Sequence, residues 1–188
     1  MNKIQKVSSY LLIVLNFLLI ALPLLSVMTW SLIDTELVRN LIAQGILFTP
    51  LQTPEGLMTL AEIKWSLISK TIGFFSEIIG LLPFLLSLFT LKLLFQNYQK
   101  KEIFTVLNAR LYRRLGLLLF LDALVAMPLQ NLLLILAVTF SNPPGHRYIN
   151  LSIGTPSLEM IFCGLVVFII SWVMLEGSRL HDEQRLTI

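Results

Sequence analysis

The sequence predicts an all-α membrane protein: a four-transmembrane-helix bundle, both termini inside the cell, with a small external loop region that has room for a short β-ribbon. Three observations lead there. Of 188 residues, 56% are hydrophobic and 13% are charged. An ordinary soluble domain carries about 25% charged residues, and a chain this apolar cannot cover its core with polar surface. Four runs, 10–30, 71–95, 115–140 and 157–175, are long and apolar enough to cross a hydrocarbon core, which takes about 20 residues. The Lys and Arg residues divide ten to four between the two sides of these runs, and that bias places the N-terminus, the middle connection and the C-terminus in the cytoplasm.

The first helix is expected over about 8–30. Lys3 and Lys6 precede it as they would a secretory signal, but the run is too long and no small-x-small cleavage site follows. Trp30 suits an interfacial anchor. In the external loop 31–59, Glu36–Ala43 reads as a short helix ended by Gly45. Ile46–Leu51 reads as extended, and Thr53-Pro54-Glu55-Gly56 as a turn. Thr59 and Glu62 have capping-box spacing and open the second helix, 60–97. The cytoplasmic connection, 98–114, carries Lys100, Lys101, Arg110, Arg113 and Arg114, and within it Thr105 caps the third helix, 106–140. Asn142-Pro143-Pro144-Gly145 stops that helix in the external loop 141–155. Arg147–Ile153 alternates weakly and can pair with Ile46–Leu51 as the ribbon. Thr155-Pro156 opens the fourth helix, 156–177, with Glu159 suited to its positive end. A cytoplasmic tail, 177–188, completes a single integral membrane domain.

Small and polar residues at seven-residue spacing mark contact faces between helices in lipid. They are Ser9, Asn16 and Pro23; Gly73, Gly80 and Ser87, interleaved with Ser76, Pro83 and Thr90; Gly116, Ala123 and Gln130; and Ser157, Gly164 and Ser171. Pro23, Pro83 and Pro128 each remove a hydrogen bond inside a helix and can kink it. Cys163 reads as a small buried residue. The intramembrane polar candidates are Glu77, Lys92, Asp122 and Gln130, because ionisable groups inside a membrane are costly. Asp122 lies about 12 Å deeper than Arg114 along a helix; Lys92 either pairs with it or snorkels to the interface. Glu77 lies near the opposite face, so the two carboxylates are not a catalytic pair. Glu77 is either protonated or bonded to Asn16 or Gln130.

Enzyme motifs are missing from the sequence: there is no phosphate loop, no H-E-x-x-H and no paired-cysteine site. His181-Asp182-Glu183 reads as a solvated tail. We therefore expect no catalysis, no cofactor and no metal. The net charge of +3 and pI of about 9.2 follow from cations placed for membrane orientation, so direct nucleic-acid binding is not expected.

Two segments resemble a bacterial membrane family, domain of unknown function 2975. The ending from Leu175 through Glu176, Gly177, Leu180, Glu183, Leu186 and Thr187 to Ile188 resembles the family's E-G-x-x-L-x-x-E-x-x-L-T-[IV]. Ile103-Phe104-Thr105 through Asn108, followed by Arg113, Arg114, Leu115 and Gly116, resembles its F-T-x-x-N…L-R-R-x-G segment. Tyr112 departs mildly, standing where the family often has Leu. The resemblance implies a bacterial inner-membrane protein. It supplies no catalytic residues, and it suggests, by association, a helix-turn-helix regulator as neighbour and partner. A tail motif carried to its end suggests docking of Glu176 and Glu183, with Leu180 and Leu186, onto Arg113 and Arg114. The leading expectation is a regulatory or partner-binding component working from the lipid bilayer through its basic connection and tail. The alternative is a small transporter or ion pathway using Asp122 and Glu77.

Overall fold

Lipid offers the backbone no hydrogen bonds, so a chain crossing it must close its own in helices. The computed structural model describes residues 3–48, 51–53, 56–141 and 157–186. It contains four helices long and apolar enough to cross a membrane, as a multi-pass membrane protein requires. They are α1 (Lys3–Ser31), α3 (Leu67–Gln99), α4 and α5 in continuation (Val106–Leu121 and Met127–Ser141), and α6 (Leu158–Leu186). The short α2 (Glu36–Ala43) follows α1. Among the described residues the fold is all-helical apart from a small antiparallel hairpin, β1 (Leu51–Thr53) with β2 (Gly56–Met58), which pairs Leu51 with Met58.

This hairpin is not the expected ribbon. The proposed strand Arg147–Ile153 lies outside the described residues, as do the Asn142–Gly145 stop and the Thr155-Pro156 cap. Of the other partner, Ile46 is taken up in closing α2, where its N–H bonds the Leu41 carbonyl beyond a left-handed Gly45 (φ 71°).

The second membrane helix begins later than expected. Thr59 reaches the Glu62 carboxylate at 3.3 Å but makes no capping bond, and Leu60–Glu62 forms only one 3-10 turn. Ile63 and Trp65 are both buried. Burying alternate residues demands an extended path, and this delays the helix. The reciprocal cap sits instead at Ser66 and Ser69: each backbone N–H donates to the other's hydroxyl, at 2.9 and 3.2 Å. At α6, Ser157 is the capping residue, its hydroxyl accepting from the Met160 N–H at 3.3 Å.

Pro23 and Pro83 lie inside uninterrupted helices. Pro128 does not. It follows a π turn, Asp122–Ala126, that joins α4 to α5. Pro128 has no N–H for the Leu124 carbonyl and its ring crowds that oxygen, and a widened turn relieves the crowding.

The chain groups into two compact units. The first comprises residues 1–21, 81–126 and 156–188. Within it α4 packs along α6 through small residues. A Cβ on Gly116 would meet the Phe168 ring at 2.8 Å and the Gly164 carbonyl at 3.2 Å. The Ser171 hydroxyl donates to the Ala109 carbonyl at 2.8 Å. Gly164, Ser171 and Ser178 therefore form a buried stripe at seven-residue spacing.

The second unit comprises residues 22–80 and 127–155. Its core gathers Trp30, Ile33, Val38, Ile42, Leu60 and Trp65 with Leu134, Ala137 and Val138. The amphipathic α2 contributes Val38 and Ile42, one helical turn apart.

Candidate functional site

Between α3 and α4 only residues 100–105 are non-helical, and α4 starts at Val106, where the third helix is expected. The connection closes α3 with a Schellman motif. The Glu102 N–H bonds the Asn97 carbonyl and the Lys101 N–H bonds the Tyr98 carbonyl. Lys101 takes the left-handed conformation, φ 66°, that usually falls to glycine. Thr105 then caps α4, its hydroxyl accepting from the Asn108 N–H at 3.2 Å.

Asn108 holds this connection together. It is completely buried. Its amide donates to the Glu102 and Ile103 carbonyls at 2.6 and 2.8 Å and accepts from the Asn97 amide at 2.7 Å. The Tyr98 and Tyr112 hydroxyls meet at 2.8 Å. Gln99 donates to the Ser9 hydroxyl, and Gln5 to the Gln99 carbonyl, each at 2.9 Å. The connection is thus tied to the ends of α3 and α4, and the last residue of α3 to α1.

The two motif segments meet here. A Cβ on Gly177 would stand 3.1 Å from the Phe104 ring, so glycine makes the room that Phe104 occupies. Gly177 accordingly does not end α6, which runs on to Leu186, past the expected 177. Phe104, Val106 and Leu107 remain exposed, as do Arg110, Arg113 and Arg114. Glu176 pairs with Arg179 on its own helix at 3.4 Å, and Leu180 and Glu183 are exposed. The side chains of Leu186 and Thr187 lie outside the described residues.

The second unit holds a carboxylate within a membrane-spanning segment. Glu77 accepts a hydrogen bond from the Trp30 indole N–H. Trp30 is buried, not an interfacial anchor. Its ring lies directly over Gly73, where a Cβ would overlap it, and meets Trp65 edge-on at 5.3 Å. Neither expected partner of Glu77 takes this place: Asn16 is exposed, and Gln130 lies over Gly80, its carbonyl accepting from Ser76 at 2.7 Å. The buried face of α1 runs through Ser8, Leu15 and Ser26, one position off the expected Ser9–Asn16 line.

Asp122 is buried at the start of the π turn and Lys92 is half-buried. Among the described residues no ion pair joins them. Cys163 is exposed. In lipid an exposed thiol costs little, so nothing drives it inward. Among the described residues no three His, Cys, Asp or Glu side chains come together as a metal site. Sequence reasoning missed Trp30, Asn97 and the Tyr98–Tyr112 pair. Asn108 had a signal: it stands three residues after the Thr105 cap, the position whose side chain reaches back to the turn.

A family model for proteins of unknown function, DUF2975, matches residues 51–188. The chain belongs to the DUF2975 family. The match spans both segments whose resemblance is visible in the sequence, the Phe104–Gly116 run and the Glu176–Gly177 ending. No curated protein and no solved structure matches the chain. In this DUF2975 protein the family's two motif segments therefore serve one place: Thr105 and Asn108 shape the connection, and Gly177 seats Phe104 against α6.

Proposed function

We propose that this DUF2975 protein is a non-enzymatic protein of the bacterial inner membrane that recruits a cytoplasmic protein. The recruiting face is formed by the α3–α4 connection, the first turns of α4 and the end of α6. The ten-to-four division of Lys and Arg supports placing this face and both termini in the cytoplasm.

One observation carries the reading. The connection is pinned by hydrogen bonds from Asn108, Thr105 and Asn97, yet it presents Phe104, Val106 and Leu107 beside three exposed arginines. A surface ordered in advance loses little entropy on binding. Arginine and aromatic residues are enriched at protein interfaces, and here Phe104 is exposed close to three arginines. The matching partner surface is acidic and apolar, and the helix-turn-helix regulator suggested by family association is the first candidate.

The transport alternative draws on the π turn at Asp122, a distortion common at functional sites. Glu77, its other required group, is already engaged by Trp30.

Co-purification with the regulator encoded beside the gene tests the proposal. Binding should be lost in the Arg113→Glu/Arg114→Glu variant and kept in Arg39→Glu. Equal binding by both variants rejects the face. Cysteine labelling in a Cys163→Ser background tests the orientation: Lys101→Cys should label only after the membrane is opened, and Gln52→Cys in intact cells. Proton or ion flux in proteoliposomes that is lost in Asp122→Asn would favour transport instead.

A further inference from the structure

The second unit carries a lateral groove that the recruiting face does not involve. It is a cavity of about 350 Å³. Val27, Trp30 and Phe74 form its apolar wall, and Ser31, Lys70 and Thr71 its polar rim. Ser31 is the last residue of α1 and Lys70 lies in the first turn of α3, so the rim stands where membrane helices end, at headgroup depth. Val27 and Phe74 lie one turn deeper. Leu67, at the groove mouth, is 82% exposed, and Ile68 beside it is also exposed. Exposed apolar side chains therefore flank the opening at headgroup depth.

The charged residue of this lining, Lys70, is ion-paired with Asp34, which stands beside the rim. The Lys70 ammonium lies 2.5 Å from one Asp34 oxygen, and the Arg39 guanidinium 3.7 Å from the other. Both side chains of the Lys70–Asp34 pair remain partly exposed, at 27% and 45%. An ammonium has three protons and Asp34 takes one, leaving two for phosphate oxygens. Each carboxylate oxygen accepts more than one donor. The Thr71 hydroxyl donates to the Leu67 carbonyl and offers only lone pairs. Along the membrane normal Lys70 sits within α3, whereas Asp34 lies beyond the end of α1.

We propose that this groove binds a bilayer phospholipid whose headgroup carries a primary ammonium, as in phosphatidylethanolamine. Its phosphate rests on Lys70, its ammonium on Asp34, and an acyl chain against Val27 and Phe74. A glycerol headgroup has no cation for Asp34. A choline headgroup has a cation but no N–H to donate.

The full-length protein, reconstituted in vesicles of equimolar phosphatidylethanolamine and phosphatidylglycerol and re-extracted in mild detergent, is read for retained lipid by native mass spectrometry. Phosphatidylethanolamine should be retained about 1.5-fold to fivefold over phosphatidylglycerol, the range expected for partly exposed ion pairs. Asp34→Asn should bring the ratio to about one while lipid is still retained, and Lys70→Gln should lower both lipids. Val27→Trp, which fills the groove, should remove the retained lipid without changing thermal stability in lipid-free detergent. Equal retention of the two lipids by the wild type marks an ordinary lipid shell and overturns the proposal. So does a preference unchanged in Asp34→Asn. Should Asp34→Asn fail to fold, Val27→Trp decides, and undiminished phosphatidylethanolamine retention in that variant rejects the site.

Discussion

The unit formed by residues 22–80 and 127–155 closes around two tryptophans and branched aliphatic side chains, with a carboxylate tied to one indole. The unit formed by residues 1–21, 81–126 and 156–188 relies on amides, hydroxyls and glycines that let α4 and α6 approach closely. The first arrangement draws on buried apolar area, including residues of the segment between α1 and α3. The second draws on directional bonds and close packing, which hold particular atoms in particular places. A recruiting surface needs the second kind of construction, and the exposed arginines are found there.

Substitutions that act on one chemistry and not the other sharpen this contrast. The largest effect is expected at Gly73. A methyl there overlaps the rigid Trp30 ring, so Gly73→Ala should cost about 3 kcal/mol, the upper range for overpacking. Gly80→Ala meets only the flexible end of Gln130 and should cost about 1 kcal/mol or less. Unfolding in detergent measures both, and equal losses would show that Trp30 yields. Next comes Asn108→Ala, which strands the Glu102 and Ile103 carbonyls and the Asn97 amide. It should cost about 2–3 kcal/mol and open the connection to protease, whereas Gly73→Ala should leave that segment protected.

Trp30→Phe keeps a six-membered aromatic ring but removes the five-membered ring and the N–H bound to Glu77. We expect about 1–2 kcal/mol, and a double-mutant cycle with Glu77→Leu should recover most of it as coupling. Additive losses would show that the indole contributes by burial alone. Lys101→Gly relieves a left-handed lysine and should stabilise by about 0.5–1 kcal/mol. The corresponding position after α2 is already Gly45. Glu176→Gln breaks only the exposed pair with Arg179 and should change stability by about 0.5 kcal/mol or less.

The four spans are legible in the sequence because a long apolar run in lipid has one backbone solution. The motif segments are legible too, and the structure brings them together at Phe104 and Gly177. Other features depend on tertiary contacts that spacing does not reveal. Thr59 and Glu62 carry the pattern of a cap, but burial of Ile63 and Trp65 prevails and the working cap is Ser66 with Ser69. Trp30 reads as an interfacial anchor because its position is terminal; its burial depends on the distant Gly73 and Trp65. Asn16 is the more polar neighbour of the true contact face, which includes Leu15. In lipid, hydropathy does not separate inside from outside, so neither Asn16 nor Cys163 could be placed by polarity alone.

Site-specific photocrosslinking, with a photoreactive residue at Leu107 or at Leu37, in cells co-expressing a helix-turn-helix regulator as the proposed partner tests the central claim most directly. Both positions are exposed, one on the recruiting face and one on α2. The account predicts a crosslink to the regulator from Leu107 that disappears in Arg113→Glu/Arg114→Glu, and none from Leu37. Crosslinking from Leu37 alone, or from Leu107 regardless of the arginines, would contradict it.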